Sequence, residues 1–330
     1  MIKNNLFPDV PAYLNPTNHQ LPLIELPSFL NPFPPKQRVR LIAHAAWRCP
    51  GGNLKLPPVY SIFAQAKLRG ELEGKRTAVD SSSGNTAHMI LCVSPSFGLP
   101  YTKFVVPADI PEEKELRLRR RGAKVEKHAA LPGGPTAIDV AQELGREEDC
   151  FYVDQYHNLD NPRGHAEYTI KPVWERLGED LTVYAAALGT TGTIVGARMF
   201  FEHAGPVHLV GGICAPNNPI PGARTIERLR QIGFDWRTGI NLIEVDQKSA
   251  YAMSWRLYLS NLEGGPTSGM SLTAAIKFIG DHLASDDQGE SLRNRHGEIV
   301  AVFMCGDTYD LYGSGKYTTI LDPEQLTWHP

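Results

Sequence analysis

Apolar runs of strand length recur along the chain, at 104–106, 182–188, 207–210 and 299–304, and segments with helical spacing of apolar residues lie between them. Strands buried on both faces read as short continuous apolar runs, and parallel strands need a long crossover, usually a helix. The alternation therefore predicts an α/β fold with a mainly parallel sheet. Residues 39–46 and 77–79 read as further strands; 60–72, the stretch from Ala87, 194–201, 226–232 and 271–283 read as helices. Between the strand at Phe104 and one starting over 123–127, a helix carries its own end signals. Asp109 is the expected N-cap, Pro111, Glu112 and Glu113 fill the first turn, Arg119, Arg120 and Arg121 the last, and Gly122 ends it. The arginine run reads as a solvated helix end and not an anion site. At 330 residues two domains are expected, with no internal repeat and no low-complexity tract.

Several function classes are excluded early. A net charge of -3 leaves no electrostatic footprint for DNA or RNA. The five cysteines (Cys49, Cys92, Cys150, Cys214, Cys305) are odd in number, widely spread and form no CxxC pair, so reduced thiols are expected and no metal site is indicated. The histidines show no HExxH pattern. The N-terminus lacks the apolar core of a signal peptide, and no apolar run spans a bilayer; a soluble cytoplasmic protein is expected. Residues 1–36 carry eight prolines, which predicts an extended arm lying along a surface, that of a partner subunit included.

Three local motifs carry chemistry. Leu188 runs into Gly189-Thr190-Thr191-Gly192-Thr193, a glycine and threonine loop that opens a helix. Free amides at a helix N-terminus, the positive dipole end and hydroxyl donors together make a phosphate cradle, although a plain strand-to-helix turn reads the same way. The glycine spacing is not GxGxxG and no P-loop lysine follows, which argues against a dinucleotide or ATP. Ser81-Ser82-Ser83-Gly84-Asn85-Thr86 can wrap a carboxylate with main-chain and hydroxyl donors, or serve only as a serine-rich turn with a cap. Pro50-Gly51-Gly52-Asn53-Leu54-Lys55 places a lysine, flanked by apolar residues, on a bent loop before a helix. Desolvation frees such an amine for Schiff-base chemistry, whereas a lone loop lysine is normally just solvated.

Taken in order, these segments resemble the tryptophan synthase β-like, fold type II family of pyridoxal-phosphate (PLP) enzymes, and within it the cysteine synthase and cystathionine beta-synthase type. The family pattern NPGGSVK resembles residues 49–55, TSGNTG resembles 82–87, and GTGGT resembles 189–193. Asp154-Gln155-Tyr156 with Asn161, Pro162 and His165 is similar to the family's QF-x-NP-x-N-x-x-H segment, and 264–269 to its G-x-SSG turn. The likeness spans roughly 19–317 and implies two α/β domains with the cofactor in the cleft. The smaller domain would be 49–156, carrying the carboxylate loop; the larger PLP-binding domain would be 1–48 with 157–330.

The resemblance also implies roles. Lys55 is the Schiff-base lysine and removes the substrate α-proton. Asn85 bonds the cofactor's ring oxygen, and Gly189, Thr190, Thr191, Gly192 and Thr193 bind its phosphate. Ser82, Ser83, Gly84, Asn85, Thr86 and Gln155 form the substrate site. A hydroxyl near the end of the last core strand, with Thr308 preferred over the neighbouring carboxylate Asp307, meets the pyridine nitrogen; a neutral partner weakens the electron sink and suits loss of a β-substituent. The implied reaction is β-replacement on an activated L-serine such as O-acetyl-L-serine, with sulfide or another nucleophile, through an α-aminoacrylate to L-cysteine or an analogue. Two rivals stand beside it: β-elimination of the cysteine desulfhydrase or serine dehydratase type, and a non-catalytic binding partner. A homodimer and a serine acetyltransferase partner are further implied. Departures from the pattern are Leu56-Pro57 after the lysine, Thr191 in place of a glycine, and a short 202–224 segment. They leave donor, nucleophile and the direction of physiological flux open, with Arg224 as a candidate contact for a phosphorylated donor.

Overall fold

The strands of this computed structural model, which describes residues 6–129, 131 and 133–327, are in chain order β1 (Leu23–Glu25), β2 (Val39–Ala45), β3 (Thr77–Asp80), β4 (Tyr101–Pro107), β5 (Lys124–His128), β6 (Cys150–Tyr152), β7 (Val183–Ala187), β8 (His208–Cys214), β9 (Ile240–Val245) and β10 (Ile299–Cys305). They form two sheets, ordered β1-β2-β10-β7-β8-β9 and β5-β4-β3-β6. Every neighbouring pair is parallel except β1 with β2. Two compact units result: the N-terminal residues through His19 with Lys55–Gly164, and Gln20–Leu54 with His165 onward. The boundaries expected from sequence put the N-terminal residues with the larger unit and began the smaller at Cys49; the chain instead crosses between units at Leu54–Lys55.

In the first unit, Val79 of β3, Val105 of β4 and Cys150 of β6 form a core with Ala141 of the helix Ala137–Leu144. That helix is set by a capping box between Thr136 and Asp139. The helix Leu56–Leu68 contributes Phe63, whose ring stacks on Phe97 and tilts against Phe151. Gly164 lets the segment Asp160–His165 lie directly on the start of that helix, since a Cβ there would fall 2.5 Å from Ser61 Cβ and 2.8 Å from Pro57 O.

In the second unit, all seven residues of β10 are buried, as its place between β2 and β7 requires. The helix Pro266–Leu283 covers this sheet with Met270, Leu272, Ala274, Ala275, Phe278 and Ile279. A Cβ on its Gly269 would lie 2.1 Å from Ala250 O, so the neighbouring helix Gln247–Leu259 packs backbone to backbone there.

The differences from the sequence reading have local causes. Asp109 is not the cap: the helix Glu112–Arg120 begins after Pro111, whose extended backbone occupies the N-cap position. The expected helix over 226–232 is only Ile226–Leu229, because Trp236 Nε1 takes up Leu229 O at 3.0 Å. The proline-rich N-terminal region is not one extended arm. Asp9 caps a short helix Val10–Leu14, and β1 adds an antiparallel edge to β2. The second helix starts at Leu56, four residues earlier than read, because Pro57 and Pro58 sit in its first turn, where no N–H is needed.

Candidate active site

The lysine loop closes the second unit's first segment. Gly51 and Gly52 take successive positive φ values of 79° and 72°, which turn the chain sharply after Pro50. Asn53 is buried and its Nδ2 donates to Gly51 O at 2.9 Å. Leu54 N–H donates to Gly306 O at 2.8 Å, and a Cβ on Gly306 would fall 2.3 Å from Leu54 Cδ2. The residue before Lys55 is thus pinned to the turn that follows β10. Lys55 itself is half-buried at the N-cap of the helix Leu56–Leu68, and its side chain makes no capping bond. Leu56 and Pro57, the departures from the family pattern, are the first helical residues and are buried.

The carboxylate-type loop lies in the first unit, between β3 and the helix Asn85–Val93. Thr86 and Gln155 are buried, and Thr86 Oγ1 donates to Gln155 Oε1 at 2.6 Å. Gln155 Nε2 donates to Asp80 Oδ2 at 2.7 Å and to Ser81 O at 3.3 Å. Asn161 Nδ2 holds the Gln155 carbonyl at 2.6 Å. Ser82 Oγ accepts the Ala87 N–H at 3.2 Å, an N-terminal cap for the helix. Ser83 and Asn85 are half-buried and Gly84 is exposed, so the loop presents polar groups outward over a fixed base. The structure therefore brings Thr86 and Gln155 together, with Ser82 bonded to the start of the same helix. It also adds Asp80, an acid ending an otherwise apolar strand, which was visible in Thr77-Ala78-Val79-Asp80 but was not singled out.

The phosphate-type loop lies in the second unit, between β7 and the helix Gly192–Ala204. Thr190, Thr191 and Thr193 are all buried. Thr191, the helix N-cap, has φ 64°, a left-handed conformation that a β-branched residue adopts at a cost of about 1–3 kcal/mol. Its Oγ1 is buried without a hydrogen-bond partner among the described residues. The first amides of the helix have no intrahelical acceptor. Thr193 Oγ1 lies 3.4 Å from His165 Nε2, and His165 Nδ1 lies 3.1 Å from Thr169 Oγ1 at a π-helical stretch, Ala166–Ile170. A Cβ on Gly189 would fall 2.2 Å from Gly222 O, which leaves the loop backbone tight against residues 220–224. Arg224 N–H donates to Leu188 O at 2.9 Å, so Arg224 does stand beside this loop, although its guanidinium turns to Arg228 O.

Thr308 lies three residues beyond the end of β10 and pairs with Gly264 in an isolated bridge. Asp307 is buried beside it and its Oδ2 accepts the Tyr312 hydroxyl at 2.5 Å. Burial foremost, with the Asp307 charge, holds the Tyr312 phenol well above its usual range, so it stays a donor to that carboxylate. The residue that ends β10 is Cys305, fully buried, with its thiol pushed well up by burial and so kept neutral. It was not singled out from sequence because only a hydroxyl and a carboxylate, Thr308 and Asp307, were weighed for this place.

Comparison with known proteins bears on the family and the fold. The model of a family described as pyridoxal-phosphate dependent enzyme matches residues 15–288. The cysteine synthase of Aquifex aeolicus is 31% identical over 269 residues, covering 78% of this chain and 78% of that protein. Cysteine synthase B of Pseudomonas aeruginosa is 30% identical over 276 residues, covering 81% and 86%. The solved structure of a cysteine synthase from Entamoeba histolytica superposes with a TM-score of 0.77 at 18% identity, covering 100% of this chain and 98% of that one; this likeness shows the fold. No helix among the described residues is long and apolar enough to cross a membrane.

Proposed function

Because the chain belongs to the pyridoxal-phosphate dependent enzymes of fold type II, the family of cysteine synthases and cystathionine beta-synthases, we propose that it carries out β-replacement on an activated L-serine, O-acetyl-L-serine or a close relative, with sulfide or another small nucleophile. It is an enzyme, and pyridoxal 5'-phosphate is its cofactor. The residues present fit that group. The Gly189–Thr193 loop offers neutral hydroxyl and amide donors at a helix N-terminus, with one buried hydroxyl, Thr191 Oγ1, still to be satisfied, as a phosphate dianion requires. When bound, the cofactor supplies an electron sink for the bonds at the substrate's α-carbon.

The chain's own residues do the rest of the work in this reading. Lys55 holds the cofactor covalently through its amine and, once released, takes the proton from the substrate α-carbon. Gly189, Thr190, Thr191, Gly192 and Thr193 hold the phosphate. Asn85, at the first position of its helix, bonds the ring oxygen. Thr308 is the candidate donor to the pyridine nitrogen, with Cys305 as a second neutral candidate. Asp307 is the poorer choice because a carboxylate there would favour a protonated ring nitrogen and a stronger electron sink than loss of a β-substituent needs. Ser82, Ser83, Gly84, Thr86 and Gln155 orient the substrate carboxylate.

The observation that carries the reading is the buried Thr86–Gln155 pair at the base of the serine-rich loop, a hydroxyl and an amide set to receive an amino-acid carboxylate. The experiment is product analysis with O-acetyl-L-serine, with and without sulfide. The expected result is L-cysteine formed in step with acetate. Pyruvate and ammonia as the main products, with sulfide present, would replace this reading by β-elimination. Absence of product from every serine ester would overturn the activated-serine donor and move the search to L-cysteine and L-serine.

A further inference from the structure

We propose that Asp80 is a positioning residue that fixes which end of the Gln155 amide faces the substrate carboxylate; the inference rests on the reading of the 82–86 loop given above. A primary amide is nearly symmetric in shape, but its two ends are opposite in chemistry: NH₂ donates and oxygen accepts. Only the NH₂ end can bind a carboxylate. Something must therefore stop the amide from turning over.

Asp80 meets that need. It ends β3, is fully buried, and its Oδ2 accepts from Gln155 Nε2 at 2.7 Å. On the other side, Thr86 Oγ1 lies 2.6 Å from Gln155 Oε1. A hydroxyl can serve as donor or acceptor, so Thr86 alone would tolerate either amide orientation. Asp80 offers an acceptor at Oδ2 and so selects one. The second N–H of the amide points to Ser81 O at 3.3 Å, the longer of the two bonds and so the one most easily exchanged for a substrate carboxylate. Asn161 holds the Gln155 backbone at 2.6 Å, which leaves the side chain as the adjustable part. Burial pushes the Asp80 carboxyl up to about 7, with hydrogen bonding from Gln155 opposing. The ionised carboxylate can only accept, and it is this form that selects one amide orientation.

The test uses the PLP-loaded enzyme and two ligands, L-serine and ethanolamine, which carry the same amine and hydroxyl but differ in the carboxylate. Dissociation constants are read from the change in cofactor absorbance on binding. Asp80→Ala is expected to weaken L-serine binding about 10- to 100-fold, the range of one hydrogen bond to a charged group, and to leave ethanolamine binding unchanged. In a Gln155→Ala background the same substitution should have no further effect on L-serine. Asp80→Asn keeps an acceptor oxygen but adds a donor, so it should recover part of the binding lost in Asp80→Ala. Should Asp80→Ala fail to fold, Asp80→Leu, close in shape and unable to accept, serves in the same comparison. Equal losses with and without Gln155, a parallel loss for ethanolamine, or an Asp80→Asn variant as weak as Asp80→Ala would each overturn the proposal. If Gln155→Ala itself binds L-serine like the parent, the carboxylate-loop reading fails and takes this inference with it.

Discussion

Replacing Lys55 with alanine is expected to lower turnover by about two to four orders of magnitude, the contribution of a positioned acid–base group, while leaving the fold intact. The second half of that expectation follows from local structure. Lys55 stands at the N-cap of the helix Leu56–Leu68 but caps nothing with its side chain. The helix start is held instead by Leu56, Pro57 and Pro58, all buried, and by Gly164, whose missing Cβ allows close approach to Pro57 O and Ser61. The Leu54–Gly306 bond, which fixes the preceding residue, is a main-chain bond and survives the substitution. Steady-state rates, with thermal melting of the same preparation, check both halves. An alanine variant that keeps more than about a tenth of the parent rate would be incompatible with a base worth two orders of magnitude or more.

Gly189→Ala should weaken cofactor binding without touching any polar group of the phosphate loop. A Cβ at this position would fall 2.2 Å from Gly222 O and 3.4 Å from Gly222 C. Both obstacles are backbone, so no side chain can swing aside. Residues 220–224 cannot yield freely either, because Arg224 N–H is tied to Leu188 O at 2.9 Å and Cys214 N–H to Arg224 O at 3.0 Å. The loop at 189–193 must shift instead. Overpacking of this kind costs about 1–3 kcal/mol; borne by the loaded state alone, that is about a 5- to 150-fold rise in the cofactor dissociation constant. Titration of the apoprotein with pyridoxal 5'-phosphate measures it. Gly280→Ala is the matched control: it lies in the helix Pro266–Leu283 with nothing within 4 Å of the added Cβ, and it should leave the cofactor titration unchanged. Equal affinities for the two variants would show that the loop tolerates displacement and that its tight fit to Gly222 has no bearing on the cofactor.

What could be read from the sequence and what could not divides along physical lines. The parallel α/β architecture was legible because β7, β8 and β10 are buried on both faces and so appear as uninterrupted apolar runs. Strand β9 escaped notice because Ile240–Val245 sits at the sheet edge and carries Asn241 and Glu244 among its apolar residues. Strand β6 is only three residues long, too short to show a period. The helix Glu112–Arg120 was plain from its charges, yet its start was misjudged, because Pro111 supplies the extended cap geometry that a sequence search assigns to Asp109. At the site, the glycine and hydroxyl loops were legible because their residue types are chemically conspicuous. Asp80 was not, because its meaning comes from Gln155, which lies 75 positions away in sequence and within hydrogen-bond reach in space. Thr191 was read as one of the phosphate-loop residues and as a departure from a glycine. The structure adds that this departure leaves a left-handed threonine with a buried, unpartnered hydroxyl, a cost that a bound phosphate would offset.

The central claim is that Lys55 carries the cofactor, and chemical trapping tests it most directly. The PLP-loaded protein is reduced with borohydride, digested, and its peptides are weighed by mass spectrometry. The account predicts one reduced pyridoxyl adduct, on Lys55 and on no other lysine, and its complete loss in Lys55→Ala. An adduct on a different lysine, or a loaded and catalytically active protein with no lysine adduct, would contradict it.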